Sequence, residues 1–270
     1  MSAPAPGAVG GSGTPVTASG SRLPLYRNPI RLVFSASPWR SAWYLIAYLF
    51  VGAALATVAL AVAGIAGIFA VTLAGLPLLT AAAVALRGCA NVERTRLRQV
   101  YTEPVRGTYR KITRPGVIAQ ATGRWKDPAT WRDLAYLLGL WAPLATLNTV
   151  VLTLWGVSLA EITVPIWYRF PWMTYHGTKY HGVQLCCYFP NGPYGHGAVG
   201  IFIGSLPVAL AVAGVSLVAF LILNYVLVAT ARAHAQVARA LLGTPSDPLA
   251  EAKDILVRPG PLPPLIPNGR

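Results

Sequence analysis

Residues 41–87 read SAWYLIAYLFVGAALATVALAVAGIAGIFAVTLAGLPLLTAAAVALR and carry no charge before the final arginine. A helix crosses the roughly 30 Å hydrocarbon core of a bilayer with about 20 apolar residues, so this run is long enough for two crossings. Gly64 and Gly67 mark a place where the chain can turn back. The sequence therefore predicts a transmembrane hairpin with spans at about residues 41–63 and 65–87.

The composition is that of an integral membrane protein. Hydrophobic residues make up 54% of the chain and charged residues only 11%, whereas a soluble domain is about 25% charged. The formal net charge is +14, but the bases lie beside apolar spans and no nucleic-acid-binding motif accompanies them. We therefore expect them to set the topology and to meet anionic lipid headgroups, and we expect no nucleic-acid partner.

Two further apolar runs predict spans at about residues 138–162 and 199–230. A base-rich loop, 88–132, precedes the third span, and a polar, aromatic loop, 167–198, separates the third span from the fourth. Four bases precede the first span, ten lie in the first of these loops, two in the second and five after Thr230. Because bases concentrate in cytoplasmic segments, this asymmetry predicts a cytoplasmic loop at 88–132, an outer loop at 167–198 and cytoplasmic termini.

The predicted fold class is therefore all-α, with four transmembrane helices arranged as two tandem hairpins. Residues 39–45 (WRSAWYL) resemble residues 131–137 (WRDLAYL), and each copy precedes an apolar run. We expect a membrane domain over residues 26–245, preceded by a disordered tail at 1–25 and followed by a Pro-rich tail at 246–270.

An ordered set of motifs over about residues 30–255 carries a resemblance to a known family. These motifs are FSASPWRSAWYLIAYL, TLAGLPLL, RGCANVERTRL, DPATWRDLAYLLGL, GVQL…YFPNGP and NYVLVATARAHAQVARALLG. They resemble the membrane sensor domain found at the N-terminus of many actinobacterial histidine kinases. The resemblance implies a membrane-embedded input to a cytoplasmic kinase of a two-component system.

The chain departs from the kinase arrangement after Leu242, where only 28 residues follow. They leave no room for a dimerisation helix pair or an ATP-binding domain, and no glycine-rich phosphate loop is visible. His234 is therefore not expected to be a phosphoacceptor. We expect no catalytic activity and no cofactor, and we expect a separate cytoplasmic histidine kinase or regulator to receive the signal.

The outer loop supplies the candidate ligand-binding residues. Aromatic rings with polar tips suit a ligand or a lipid headgroup, although such rings also form the interfacial belts that anchor membrane proteins. The candidates are Tyr175, Tyr180, His181, Tyr188 and Tyr194.

Donor types suited to zinc or copper occur in the same loop, but their spacing matches no recognised zinc motif. We therefore expect no metal site there. The redox state of the adjacent cysteines stays open. The residues of the loop that carry such donors, and are therefore weak candidates for metal ligands, are His176, His181, His196, Cys186 and Cys187.

Few polar residues fall within the predicted spans. Asn148 and Asn224 are predicted to make interhelical hydrogen bonds, each worth about 0.6 kcal/mol or somewhat more. Glu161 is expected near the outer interface, in a structural or headgroup-facing role.

The helices that follow the second and fourth spans are the predicted output elements, represented by Arg94, Arg98, Arg232 and Arg239. Either a sensor or an accessory or structural subunit of a membrane transporter complex fits these features. A transporter should show a polar path through the helices, and the sequence offers little beyond three polar residues. Homo-oligomerisation stays open.

Overall fold

Long helices dominate the chain. The computed structural model describes residues 22–72, 75–110, 112, 116–185 and 200–244. The helices are α1 (Pro29–Val33), α2 (Ala36–Ile68), α3 (Gly75–Arg96), α4 (Val117–Trp125), α5 (Pro128–Leu134), α6 (Trp141–Ile162), α7 (Val164–Trp167) and α8 (Leu206–Leu242). A 3-10 turn at Leu97–Gln99 follows α3, and a π-helical turn at Ala135–Gly139 joins α5 to α6.

Within the described residues, four helices are long and apolar enough to cross a membrane. They are α2, α3 with its 3-10 turn, α6 and α8, so the predictions of a mostly helical chain and of four candidate spans are confirmed.

Polar side chains fix where several helices begin. The Asn28 side chain accepts from the Ile30 backbone N–H at 3.0 Å. The Asp127 carboxylate accepts from the Ala129 backbone N–H at 3.0 Å, and Pro128 occupies the first turn of α5. Such caps satisfy backbone donors that have no partner inside the helix.

The turn between the first two spans lies later than predicted. Helix α2 continues through Gly64 and Gly67 to Ile68, and α3 begins at Gly75. A glycine inside a helix costs only about 1 kcal/mol relative to alanine, while breaking backbone hydrogen bonds in lipid costs several. The helix therefore passes through both glycines. A Cβ at Gly75 would lie 1.8 Å from the Phe69 carbonyl oxygen, so only glycine fits where the chain returns.

The last span also differs from its predicted bounds of 199–230. Helix α8 begins at Leu206, with a proline in its first turn, and continues twelve residues beyond Thr230 to Leu242. Residues 200–205 do not belong to the helix, and Gly200 has a φ of 124°. One continuous helix therefore carries both the last candidate span and the predicted output arginines Arg232 and Arg239.

The segment predicted as the loop 88–132 is folded against α3. Helix α3 itself extends to Arg96, and α4 and α5 pack on it. The Trp125 indole N–H donates to the Leu79 carbonyl oxygen at 2.9 Å, and Arg87 pairs with Asp127 at 3.1 Å. These contacts hold the base-rich segment in place, because each satisfies a polar group that packing would otherwise leave unpaired.

Short strands in the predicted outer loop and at the start of the predicted last span depart from the all-α prediction. Strand β1 (Trp172–Tyr175) pairs with β2 (Thr178–His181), and β3 (Val183–Leu185) pairs with β4 (Ile201–Ile203), both antiparallel. His176 and Gly177 have φ values of 47° and 78°, which is the conformation of a two-residue hairpin turn. We call these strands and α7 the cap.

The helices pack around one large core and one small core. Helices α6 and α8 run in opposite directions, because positions 148, 155 and 161 of α6 meet positions 234, 224 and 216 of α8. The first turns of α2 pack against both. The small core joins the cap to the start of α8, through Val164, Tyr168, Ile203 and Ala209. The cap is thus attached directly to α8.

Replacing Gly75 by alanine should destabilise the protein by about 3 kcal/mol or more, because the added methyl overlaps the Phe69 backbone and the turn must move. Gly67→Ala is the matched control, since a Cβ at that position would have no atom within 4 Å. It should be neutral or stabilising by up to about 1 kcal/mol. Denaturant unfolding of the purified variants in detergent measures both values, and equal stabilities would contradict this account of the turn.

Candidate functional site

Five polar side chains from α3, the turn before α6, α6 itself and α8 meet inside the large core. We call Glu93, Arg96, Tyr136, Asn148 and His234 the polar core. Each is at most 7% exposed. Burying such groups is costly unless each finds a partner, so their hydrogen bonds decide how the helices can pack.

His234 lies at the centre of the polar core. Its Nε2 is 3.3 Å from the Tyr136 hydroxyl, and its Nδ1 is 3.1 Å from the Asn148 amide nitrogen. Tyr136 also donates to Glu93 at 3.3 Å. When Tyr136 donates to Glu93, the Nε2–H of His234 donates to the Tyr136 oxygen and Nδ1 accepts from Asn148. His234 therefore links α8 to α6 and, through Tyr136, to α3.

Two tyrosines of α2 enclose this ring. The Tyr48 and Tyr44 rings stand edge-on to the His234 ring, with centroids 4.2 and 5.5 Å away. The side chain of His234 is 1% exposed, so it is not available to a kinase.

The charge of the polar core is balanced within one helix turn. Arg96 donates to Glu93 at 2.8 Å, and its guanidinium lies 4.6 Å from the Tyr44 ring centroid and 4.9 Å from that of Tyr48. The carboxylate and the two ring faces together offset the desolvation of the arginine. Removing either ion would leave the other buried without its partner.

A second arginine holds the end of α8. The Arg94 guanidinium donates to the Leu242 carbonyl oxygen at 2.8 Å, to Asp133 at 2.8 Å and to the Tyr109 hydroxyl at 2.7 Å. We call these four residues the arginine junction. It ties α3, α5 and the last residue of α8 to one guanidinium, whose fixed fork of donors suits several acceptors at once.

The carboxyl and phenol groups of the arginine junction are both shifted in pKa. Burial raises the pKa of Asp133, while the Tyr109 hydrogen bond and the Arg94 charge oppose that shift. Burial and the neighbouring Asp133 raise the pKa of Tyr109 to about 12. The phenol therefore keeps its proton at neutral pH, and its hydroxyl donates a hydrogen bond to Asp133 at 2.6 Å.

Polar contacts continue along α6 and α8 toward the cap. The Trp155 indole N–H donates to the Asn224 side chain at 3.2 Å, and Ser216 donates to Glu161 at 2.6 Å. With the contact between Asn148 and His234, three polar pairs join these two helices. All three residues singled out within the predicted spans, Asn148, Glu161 and Asn224, thus make contacts between α6 and α8.

The cap separates the candidate ligand residues instead of gathering them. In the β1–β2 register, Met173 pairs with Tyr180 and Trp172 with His181. Since successive residues of a strand point to opposite faces, Tyr180 and His181 cannot line one site. Tyr180 shares its face with Tyr175, and its ring lies 6.5 Å from that of Phe202. The candidates Tyr188 and Tyr194 lie outside the described residues.

The weak metal candidates are only partly placed. His176 occupies the turn of the first hairpin and His181 the far end of β2. Across the described ranges, no group of three His, Cys, Asp or Glu side chains is placed to hold a metal ion. Cys186, Cys187 and His196 lie outside those ranges.

The predicted output arginines have different environments. Arg94 is 6% exposed within the arginine junction, whereas Arg98 is exposed on the same helical segment. Arg232 donates to the Leu23 carbonyl oxygen at 3.0 Å, and Arg239 lies over the Tyr101 ring at 4.9 Å. Of these four arginines, Arg98 and Arg239 are the exposed ones.

Comparison with known protein families identifies the family of this chain. The family described as "Putative sensor" matches residues 37–242. The chain belongs to this sensor family. The matched region runs from the first turn of α2 to the last residue of α8, so both polar clusters and the cap lie inside the sensor domain. No curated protein and no solved structure matches the chain.

Sequence reasoning missed most of the polar core. Glu93 and Arg96 are spaced for an ion pair on one helix face, and Tyr44 and Tyr48 lie on one face of α2. These two spacings are the features of the sequence that point to part of the polar core. Their meeting with His234, more than 130 residues farther on, is a tertiary contact that local spacing does not reveal.

Replacing His234 by alanine should destabilise the sensor domain by about 3 kcal/mol, since it opens a cavity and removes partners of Tyr136 and Asn148. His181→Ala, on an exposed strand position, should change stability by less than about 0.5 kcal/mol. Thermal unfolding in detergent compares the two. Equal effects would show that the polar core does not stabilise the helix packing.

Proposed function

We propose that this member of the sensor family passes an extracellular or envelope signal to a separate cytoplasmic partner, and that it does so without a catalytic step of its own. The observation that carries the proposal is the row of polar contacts along α6 and α8. It begins beside the cap at Glu161 and Ser216 and ends at the polar core.

Hydrogen-bonded helix contacts favour discrete packings over gradual deformation. A shift of α8 relative to α6 must exchange or break their shared polar pairs, and in an apolar environment a broken pair is costly. Two packings separated by such exchanges can act as a switch. A ligand then changes their populations only by its difference in affinity for the two.

The cap offers a way for an outside event to act on α8. Strand β4 ends only a few residues before α8, and Ile203, fully buried, packs with Ala209 in the first turns of that helix. A ligand that moves β4 would therefore move the start of α8. We propose the face that bears Tyr175 and Tyr180 as the ligand-binding face, with Tyr188 and Tyr194 as further candidates.

The proposed topology places this cap outside the cell membrane and both termini in the cytoplasm. The four helices then form two tandem hairpins, with the C-terminal end of α3 and its bases inside. The charge asymmetry of the sequence supports this orientation. The same bases would meet anionic headgroups. A histidine kinase or regulator of an actinobacterial two-component system is the proposed partner, as the sequence motifs imply.

Photo-crosslinking in native membranes tests the partner. A photoreactive residue in place of Arg98, exposed after α3, should capture a separate histidine kinase or a transcription regulator. The same residue in place of Thr178, in the cap, is the matched control and should capture neither. Transporter subunits at position 98, or only other copies of this chain, would contradict the proposal and favour an accessory role in a transporter complex.

The ligand face is tested by two neighbouring substitutions. Tyr180→Ala should abolish the change in crosslinking at position 98 that an envelope stress, such as a sublethal detergent concentration, produces. His181→Ala should preserve it, because that side chain lies on the other face of β2. Immunoblots check that membrane abundance is equal. Loss of the response in both variants, or in neither, would exclude the Tyr180 face as the input.

A further inference from the structure

A cavity lies at the start of α2, and its lining includes no residue of the polar core or the cap. Its volume is about 450 Å³. It is lined by Arg22, Ala36, Trp39, Arg40, Trp43 and Gln99. Three separate parts of the chain contribute to it, namely the segment before α1, the first turns of α2 and the 3-10 turn after α3.

These parts are held together by contacts outside the cavity. The Arg22 backbone N–H donates to the Val100 carbonyl oxygen at 2.7 Å. The next residue, Leu23, is 1% exposed and accepts a hydrogen bond from Arg232. The backbone that carries Arg22 is therefore fixed beside Gln99, and the cavity does not need to form when a ligand arrives.

The polar lining is positive and unpaired. Arg22 and Arg40 are exposed, and within the described part of the chain neither guanidinium has a hydrogen-bond or ion-pair partner. No carboxylate lines the cavity among those same residues. Two guanidinium groups offer paired N–H donors that match the oxygens of a phosphate, and such charge-assisted bonds are among the strongest that proteins form.

The apolar part of the lining suits the boundary between lipid and water. Trp39 is 52% exposed and Trp43 is 66% exposed. Indoles with both an apolar ring and a polar N–H concentrate at the headgroup level of membranes. Helix α2 has 33 residues, or about 50 Å at 1.5 Å per residue, which exceeds the roughly 30 Å hydrocarbon core. Its first turns can therefore lie among the headgroups while the apolar run after Arg40 enters the bilayer.

We propose that this cavity binds the headgroup of an anionic glycerophospholipid, with Arg22 and Arg40 holding the phosphate oxygens. Gln99 donates to a headgroup oxygen, and the two indoles pack against the glycerol and the upper acyl chains. The site stabilises the join between the N-terminal segment, α2 and the end of α3. This proposal is independent of the sensing proposal, since it requires neither a signal nor a protein partner.

Native mass spectrometry of the full chain in a neutral detergent tests the site with phosphatidylglycerol and phosphatidylcholine as probes. The wild type should bind the first phosphatidylglycerol at least tenfold more tightly than phosphatidylcholine. Arg22→Gln with Arg40→Gln should weaken phosphatidylglycerol binding about tenfold or more. The matched control, Arg98→Gln with Arg106→Gln, removes the same charge elsewhere and should change it less than twofold. Equal weakening in both double variants would overturn the proposal.

Two further measurements separate a lipid from a soluble phosphate. Trp43→Leu keeps both arginines and should still weaken phosphatidylglycerol binding severalfold, whereas a site for a soluble phosphate would be indifferent to the loss of this ring. Inorganic phosphate or glycerol phosphate at a hundredfold excess should leave the lipid bound. Displacement at equal concentration would assign the cavity to a soluble phosphate and overturn the assignment to a lipid.

Discussion

The pairing of every buried charge in the polar core is the constraint on which the helix packing depends. Arg96 is removed from water and can remain so only because Glu93 and two tyrosine rings face it. Glu93 in turn accepts from Tyr136, and Tyr136 meets His234. Since these partners lie on α2, α3, α8 and the turn before α6, separating the helices would take the tyrosine rings from Arg96 and the Tyr136 hydrogen bond from Glu93. Apolar contacts alone would tolerate many registers, and these polar contacts select one.

Much of the fold follows from the lengths of apolar runs, but helix ends do not. The run after Arg40 predicts two spans because lipid requires continuous helices. It does not locate the turn, since Gly64 and Gly67 are tolerated inside α2 while Gly75 meets a steric demand that only the folded backbone creates. Likewise α8 starts later and ends later than its apolar stretch, because Pro207 sets one end and the arginine junction holds the other.

Some residues of the candidate site could also be assigned from the sequence, and others could not. Asn148 and Asn224 could be assigned interhelical contacts from sequence, because a lone amide in an apolar helix needs a partner. The ligand residues of the cap could not be grouped correctly, since assigning Tyr180 and His181 to one site requires both side chains on one face. A strand places consecutive side chains on opposite faces, and the presence of strands was not apparent in a loop rich in glycine and proline. Membership of the sensor family, by contrast, was visible in the order of the motifs.

Helix α8 connects the cap at its first turns to the arginine junction at its last residue. It has 37 residues and is therefore about 55 Å long, and beyond Gly214 its sequence has neither glycine nor proline to absorb bending. A small rotation of its first turns about the helix axis must reappear at Arg239 as a rotation of similar size. An amplitude of about 100° would exchange one residue for its neighbour at a given surface position, so even a fraction of that angle changes which side chains the end of the helix presents. Helix α8 is thus a rigid rod that is held by the cap at one end and by Arg94 at the other.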